Sequence, residues 1–246
     1  ALQQRQIPFD IIFDQQLGQL DKYYVLVLAN QESLTDETIG AIKTFTTNGG
    51  GLVVTGNTGM FDGWRRRRKQ NMLQEMLSEK GTIINGTVEI SSPGSSRGSS
   101  RGLINNVFSF TYGKGRVIFL PELIKPAGEI RLGYSTKWVM PENANEFESA
   151  VFWAAGKKLP LQVTAPEWIG VSHDTQVNRD VIHLFNYNAA RNVEGIIIQY
   201  DGTVKNAWSF SPDENGKSII PIIEKGGITE LRIPNLKVYT VIVLEK

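Results

Sequence analysis

The sequence predicts an α/β unit over residues 1–157 followed by an all-β antiparallel sandwich over 158–246. Three observations carry that division. In the first part, continuous apolar runs alternate with segments of helical spacing, the pattern of strands covered on both faces by helices. Beyond Lys158 no long helical pattern remains, and short β-type runs follow one another between turn residues. Between them, Gly156-Lys157-Lys158-Leu159-Pro160-Leu161 ends a helix and places a proline where a linker belongs.

Taken in order, Ile11-Ile12-Phe13 after Pro8 reads as a short strand, and Leu17 to Tyr23 as a connection. Tyr24-Val25-Leu26-Val27-Leu28-Ala29 is a buried parallel strand. A helix follows, with Thr35 as N-cap, Asp36 and Glu37 in the first turn, and Ile39, Ile42 and Phe45 on one face. Asn48 and Gly49 stop it, and Leu52 to Thr55 is the next strand, completing a βαβ unit with a right-handed crossover. The turn Thr55-Gly56-Asn57-Thr58-Gly59 then leads from strand towards helix. An α/β protein places a nucleophile or a phosphate site at such a turn. Its tip here is Asn57, which is neither a nucleophile nor a base.

Met72, Leu73, Met76 and Leu77 give a second helix, expected over Trp64 to Lys80 and closed by Gly81. It would open with Arg65-Arg66-Arg67-Arg68-Lys69, a solvated helix face or, with Trp64, one arm of a subunit contact. A formal net charge of +1 and the lack of further interleaved aromatics speak against nucleic acid. Residues 91–102 repeat Ser-Ser-Arg-Gly and read as an exposed loop. Tyr112-Gly113-Lys114-Gly115 turns into the buried strand Arg116 to Leu120, which ends at Pro121-Glu122. Phe147, Ala150, Val151 and Ala154 mark a last helix from Asn143, stopped by Gly156. The sandwich strands are read at Val163, 169–171, 181–185, 195–199, 207–210, 219–223, 228–233 and 239–244.

The inventory excludes much chemistry. The chain has no cysteine, so thiolate nucleophiles, disulfides and cysteine metal sites are absent, and the compartment is left undecided. Its two histidines, His173 and His183, fall in the last third, which leaves the first part without a histidine base or zinc ligand. His183 alternates with Ile182 and Leu184 and faces outward or toward the domain interface, whereas His173 beside Asp174 reads as solvated in a turn. No apolar run approaches the ~20 residues that span a bilayer, and Ala1 to Gln6 shows no apolar leader segment. No cofactor is expected.

Several stretches resemble a known family. They are Phe9-Asp10-Ile11-Ile12, Leu20 through Leu28, Leu34-Thr35-Asp36-Glu37, Phe45 through Gly56, and Gly113-Lys114-Gly115-Arg116-Val117. Over residues 7 to 155 the order and spacing resemble the flavodoxin-like class I glutamine-amidotransferase-like fold. The closer match is its version in β-galactosidases of glycoside hydrolase family 42, the trimerisation domain. The C-terminal stretch, with 182–188 and Ile233-Pro234-Asn235-Leu236, looks like the accessory sandwich that closes many glycoside hydrolases.

The resemblance implies a triad whose cysteine position is occupied by Asn57 and whose histidine position is Leu120, leaving Glu122 alone. Without cysteine, amidotransferase chemistry is excluded. It also implies a first strand and helix ahead of Phe9, and a catalytic barrel, that would lie upstream of Ala1. The expected role is non-catalytic, supporting that barrel through self-association or contact with it. Trp64, Arg65, Arg66, Arg67, Arg68 and Trp138 are the interface candidates. One alternative is a carbohydrate-binding module using exposed tryptophans among Trp138, Trp153, Trp168 and Trp208, or a pocket at the Asn57 turn. Another is a self-contained hydrolase using Glu122.

Overall fold

The computed structural model describes residues 1–85, 107–126, 140–156 and 159–246, so the loop read at 91–102 and Trp138 lie outside the described residues. These residues divide into two compact units. One comprises 12–85, 107–126 and 141–156, and the other joins residues 1–11 and Met140 to those from 159 onward.

The first unit is a five-stranded mixed sheet with helices on both faces. Its strands are β1 (Val25–Ala29), β2 (Gly51–Thr55), β3 (Gly81–Asn85), β4 (Phe108–Tyr112) and β5 (Gly115–Leu120), ordered β1-β2-β5-β4-β3. β1, β2 and β5 run parallel, with Leu26 beside Leu52 and Leu52 beside Val117. β4 and β3 continue the sheet antiparallel. Strand alternation sends Leu52, Val54, Val117, Phe119, Phe108 and Phe110 to one face. There they share a core with Ile39, Ile42 and Phe45 of α1 (Asp36–Thr47) and with Met72, Leu73 and Met76 of α2 (Met72–Lys80). Gly51 and Ala150 belong to the opposite layer, where α3 (Ala144–Ala155) packs on β2 and β5. A Cβ on Gly51 would stand 2.6 Å from the Ala154 carbonyl carbon, so only glycine admits the helix that close.

Local chemistry explains the helix ends. The Thr35 hydroxyl accepts from the Thr38 N–H at 3.1 Å, capping α1 as its sequence predicts. Asn71 caps α2, its side chain accepting from the Gln74 N–H while Gln74 Oε1 accepts from the Asn71 N–H. Gly156 adopts φ +65° and closes α3. Lys43 of α1 reaches Glu75 and Glu79 of α2 at 2.9 and 2.8 Å, and Tyr112 donates to Glu79 at 2.8 Å, tying both helices to β4.

Two expectations are corrected. Ile11-Ile12-Phe13 is not a strand. Ile11 and Phe13 are 75% and 68% exposed, and the following residues Asp14–Lys22 form a 3-10 helix rather than a plain connection. The segment Trp64 to Lys69 is not helical either. Asp62 side-chain bonds and the Asn71 cap hold it outside α2, which begins only at Met72.

The second unit is the expected antiparallel sandwich. One sheet is ordered β11-β10-β14-β8-β7 and the other β12-β13-β9-β6. The strands are β6 (Leu161–Thr164), β7 (Ile169–Thr175), β8 (Arg179–Asn186), β9 (Val193–Asp201), β10 (Asn206–Phe210), β11 (Lys217–Ile219), β12 (Ile222–Lys225), β13 (Ile228–Leu236) and β14 (Tyr239–Glu245). Ile182, Leu184, Ile242 and Leu244 from one sheet meet Ile196, Ile198, Leu231 and Ile233 from the other, all nearly solvent-free. The first residues of the chain pack on this unit. Gln6, at φ +51°, donates from its amide to the Pro166 and Ile169 carbonyls at 3.1 and 3.3 Å.

Candidate functional site

The parallel strands β1, β2 and β5 end side by side, and the turn carrying Asn57 forms on their C-terminal edge. Thr55 lies beside Leu120 in register, and the Gly56 N–H donates to the Pro121 carbonyl at 3.0 Å. The fold therefore brings the Asn57 turn and the Leu120-Pro121-Glu122 segment together. Leu120 is 2% exposed and lies on the α3 side of the sheet, opposite Val117 and Phe119, whereas Glu122 is exposed.

The turn is shaped by two left-handed glycines, Gly56 at φ +60° and Gly59 at φ +70°. Thr58 is buried beneath it, its hydroxyl bonded to the Thr55 carbonyl at 2.7 Å and accepting from the Gln31 N–H at 3.1 Å. Four main-chain donors that could face an anion are spent internally. Gly56 bonds Pro121, Asn57 bonds Asn30 Oδ1, Gly59 bonds Gln31, and Met60 bonds Asn57. A turn whose N–H groups already have acceptors is a poor oxyanion hole or phosphate cradle, because binding would first have to break those bonds.

Beside this turn stands a tight hairpin. The Asp62 N–H donates to the Arg66 carbonyl and the Arg65 N–H to the Asp62 carbonyl, both at 2.9 Å. Asp62 Oδ1 accepts from the Trp64 and Arg66 N–H groups, and its Oδ2 from Arg66 Nε at 2.8 Å. The backbone bond from Arg66, with the Arg66 guanidinium and the Trp64 N–H, outweighs desolvation and holds the Asp62 carboxyl below the usual carboxylate range. Arg68 roots the hairpin through the Leu34 carbonyl at 2.8 Å and Asp36 at 2.6 Å. Arg65 pairs with Glu32 at 3.2 Å, and Asn57 Nδ2 donates to the same carboxylate at 3.5 Å, so Glu32 joins turn and hairpin. Arg67 and Lys69 have no ion-pair partner among the described residues, and Trp64 at the tip is 83% exposed. The interface candidates thus sit on one rigid hairpin at the sheet's edge, except Trp138, whose placement is not described.

On the α3 face of the same unit lies a shallow groove of ≈ 500 Å³. Val107, Ile118, Leu120, Ala150 and Trp153 line it, with Glu146 at its rim. The Arg116 guanidinium stacks 5.4 Å from the Trp153 ring centroid and donates to the Trp153 carbonyl at 3.2 Å.

In the sandwich, His183 faces outward as alternation requires, with Nδ1 2.7 Å from the Tyr239 hydroxyl and Nε2 3.4 Å from Asp174. His173 departs from its expected solvated turn. It lies in β7 opposite Ile182, its side chain 8% exposed, with Nε2 3.5 Å from Asp180. Lys246 Nζ reaches the other Asp180 oxygen at 2.8 Å. Sequence reading missed this cluster, although the alternation Val171, His173, Thr175 could have placed His173 on a strand. Among the described residues no group of three or more His, Cys, Asp or Glu could hold a metal ion, and no helix is long and apolar enough to cross a membrane.

No protein-family model and no curated protein sequence matches the chain. Solved structures do. An α-L-fucosidase isoenzyme 2 from Paenibacillus thiaminolyticus matches at TM-score 0.54 and 16% identity, over 99% of this chain and 44% of that one. A GH42 β-galactosidase from G. stearothermophilus matches at TM-score 0.55 and 18% identity, over 100% of this chain and 34% of that one. A β-galactosidase from Bacillus circulans sp. alkalophilus matches at TM-score 0.50 and 14% identity, over 94% and 36%. The chain thus spans less than half the length of each. At these identities the likeness is one of fold, and that fold is one found within glycoside hydrolases.

Proposed function

We propose that this chain is the accessory, non-catalytic region of a glycoside hydrolase, serving assembly and support of a catalytic barrel carried elsewhere in the protein. The observation that carries the reading is that nearly all of this chain matches about a third to 44% of the glycoside hydrolases it is similar to. In the finer form, the first unit is a class I glutamine-amidotransferase-like domain of the family 42 trimerisation type, within residues 1–157, and 158–246 is the closing sandwich. Asn57 and Leu120 then stand where a nucleophile and its histidine would, and Glu122 is left exposed with nothing to activate. The spent N–H groups of the Asn57 turn support a scaffold role over a binding role.

The test pairs a chemical and a physical assay. Wild type and Glu122→Gln are offered chromogenic β-galactosides, α-fucosides and other glycosides, and the chain is mixed with the separately expressed barrel in light scattering. No turnover together with association is expected. Turnover lost in Glu122→Gln would overturn the non-catalytic reading. Trp64, 83% exposed, is the specific observation favouring carbohydrate binding as a second reading. Calorimetry of wild type and Trp64→Ala against a panel of galactosides decides it, since only sugar binding predicts heat that disappears with the indole.

A further inference from the structure

The hairpin over 60–68 holds an indole and an excess of positive charge together in water, and we infer that it binds an anionic glycan, a sugar chain bearing sulfate or carboxylate groups. The inference rests on the carbohydrate-binding reading of Trp64 above and names the class of sugar.

The surface is built as a short ribbon. Phe61 donates its N–H to the Glu32 carbonyl at 2.9 Å and its carbonyl accepts from the Leu34 N–H at 3.1 Å, so one arm is bonded to residues 32–34. The second arm pairs back on the first, with the Asp62 N–H donating to Arg66 and the Arg68 N–H to Met60, both at 2.9 Å. Phe61 and Arg67 face each other between those two bonds. That is the non-hydrogen-bonded position of an antiparallel pair, so the Arg67 N–H and carbonyl point to the outer edge of the ribbon. Alternation takes the Arg68 side chain, 17% exposed, inward to Leu34 and Asp36 and sends the Arg67 side chain the other way. A ligand chain can therefore run along an open edge that carries both a guanidinium and a main-chain donor.

Charge selects the ligand. Arg65 pairs with Glu32, Arg66 with Asp62 and Arg68 with Asp36, which leaves Arg67 and Lys69, both exposed, without an ion-pair partner among the described residues. The whole chain carries a formal charge of only +1, so this excess is local. Arginine forks onto a carboxylate or a tetrahedral oxyanion through two parallel N–H groups. A sugar ring supplies the other half of the fit, because its C–H face packs on an indole while its hydroxyls stay in water.

Trp64 presents that indole, 83% exposed, on a tip fixed by three bonds to Asp62. Arg65 beside it holds φ +60°, a conformation a non-glycine residue keeps only when its surroundings enforce it. A rigid tip loses little freedom on binding. Nucleic acid fits less well, since its binders draw on about 6–10 phosphate contacts and on successive stacking aromatics. This ribbon offers two unpaired cations and one indole, enough for a sugar chain with charges spaced along it.

Calorimetry of the full chain at about 50 mM salt tests this. The ligands are oligosaccharides of a sulfated galactan, the same galactan desulfated, oligogalacturonate, inorganic polyphosphate and oligo(dT). Wild type is expected to bind the sulfated galactan or oligogalacturonate about tenfold or more tighter than the neutral galactan, and the tighter of the two identifies the anion. Affinity should fall as salt rises, and Arg67→Ala should reduce the slope of log affinity against log salt by about one. Trp64→Ala should weaken glycan binding about tenfold and leave polyphosphate, which has no ring to stack, unchanged. Two results overturn the site: anionic glycan binding indifferent to Trp64→Ala, or oligo(dT) bound more tightly than either anionic glycan, which would make the ligand a nucleic acid. Neutral galactan bound as tightly as the sulfated one, with heat lost in Trp64→Ala, sinks the anionic class and spares carbohydrate binding, whereas no heat with any glycan sinks both.

Discussion

Asp180 shows how one side chain can hold a sheet edge. Its side chain is 2% exposed, with Lys246 2.8 Å from one oxygen and His173 3.5 Å from the other. Burial alone would push this carboxyl up. The hydrogen bonds from Lys246 and Tyr200, with the charges of His173 and Lys246, outweigh it and hold the group below the usual carboxylate range. A depressed folded pKa stabilises the protein fully above the unfolded value, about 3.9 for aspartate, and is lost as pH falls through the folded one. The contribution of Asp180 should therefore be constant at neutral pH and vanish in acid. Asp180→Asn removes the charge and leaves Lys246 facing a neutral amide, an expected loss of about 3 kcal/mol at pH 7. Urea unfolding at pH 7 and again well below pH 4 checks both parts, because wild type and variant should converge in acid. A variant matching wild type at pH 7 would show the cluster to be energetically idle.

At the scale of elements, legibility followed agreement between independent signals. In α1 the Thr35 cap, the acidic first turn and the Ile39-Ile42-Phe45 spacing all point the same way, and the helix runs as read. Thr35→Ala should cost about 1 kcal/mol of stability in denaturant unfolding, the usual worth of a cap. The start of α2 was misread because the arginine run has good helix propensity. Asp62 offers its backbone neighbours a competing set of bonds, and Asn71 supplies a cap nine residues later than Asp62. Ile11-Ile12-Phe13 looked like a strand by composition, but β-propensity needs a neighbouring strand, and among the described residues none pairs with it. β4 was missed although Phe108, Phe110 and Tyr112 alternate, because its partner β3 adjoins a segment with no apolar pattern. The Asn57 turn was legible as a strand-to-turn motif, but its occupied N–H groups were not, since the acceptors at Asn30, Gln31 and Pro121 come from separate stretches of chain. Its geometry can be tested at Gly59. At φ +70°, and with a new Cβ 2.7 Å from Met72 Cβ, Gly59→Ala should lose about 2 kcal/mol or more in the same assay.

At the scale of the whole molecule, each unit has its own core: Leu52, Val54, Val117 and Phe119 in one, Ile182, Leu184, Ile198 and Leu231 in the other. Chain order and core membership part company at the beginning. Residues 1–11 precede the mixed sheet in sequence yet cluster with the sandwich. Gln4, Gln6 and Ile7 are nearly buried, and Gln6 alone donates to carbonyls at 166 and 169. A Cβ on Gly170 would come 3.1 Å from the Gln3 amide, so the 3-10 turn Gln3–Arg5 lies directly against β7. Removing residues 1–7 should therefore destabilise the sandwich, 160 residues away in sequence, more than the sheet that follows a few residues later. Leu52→Ala, at a site with no exposure, should do the reverse, costing about 2–5 kcal/mol in the mixed-sheet core. Hydrogen exchange read by mass spectrometry separates the two. The truncation should raise exchange in β7 and β8 with β1 and β2 unchanged, and Leu52→Ala should raise it in β1, β2 and β5 with β7 and β8 unchanged. Equal loss of protection in both units from either change would mean that the two cores open as one cooperative body, and that the first residues serve the chain as a whole rather than the sandwich they touch.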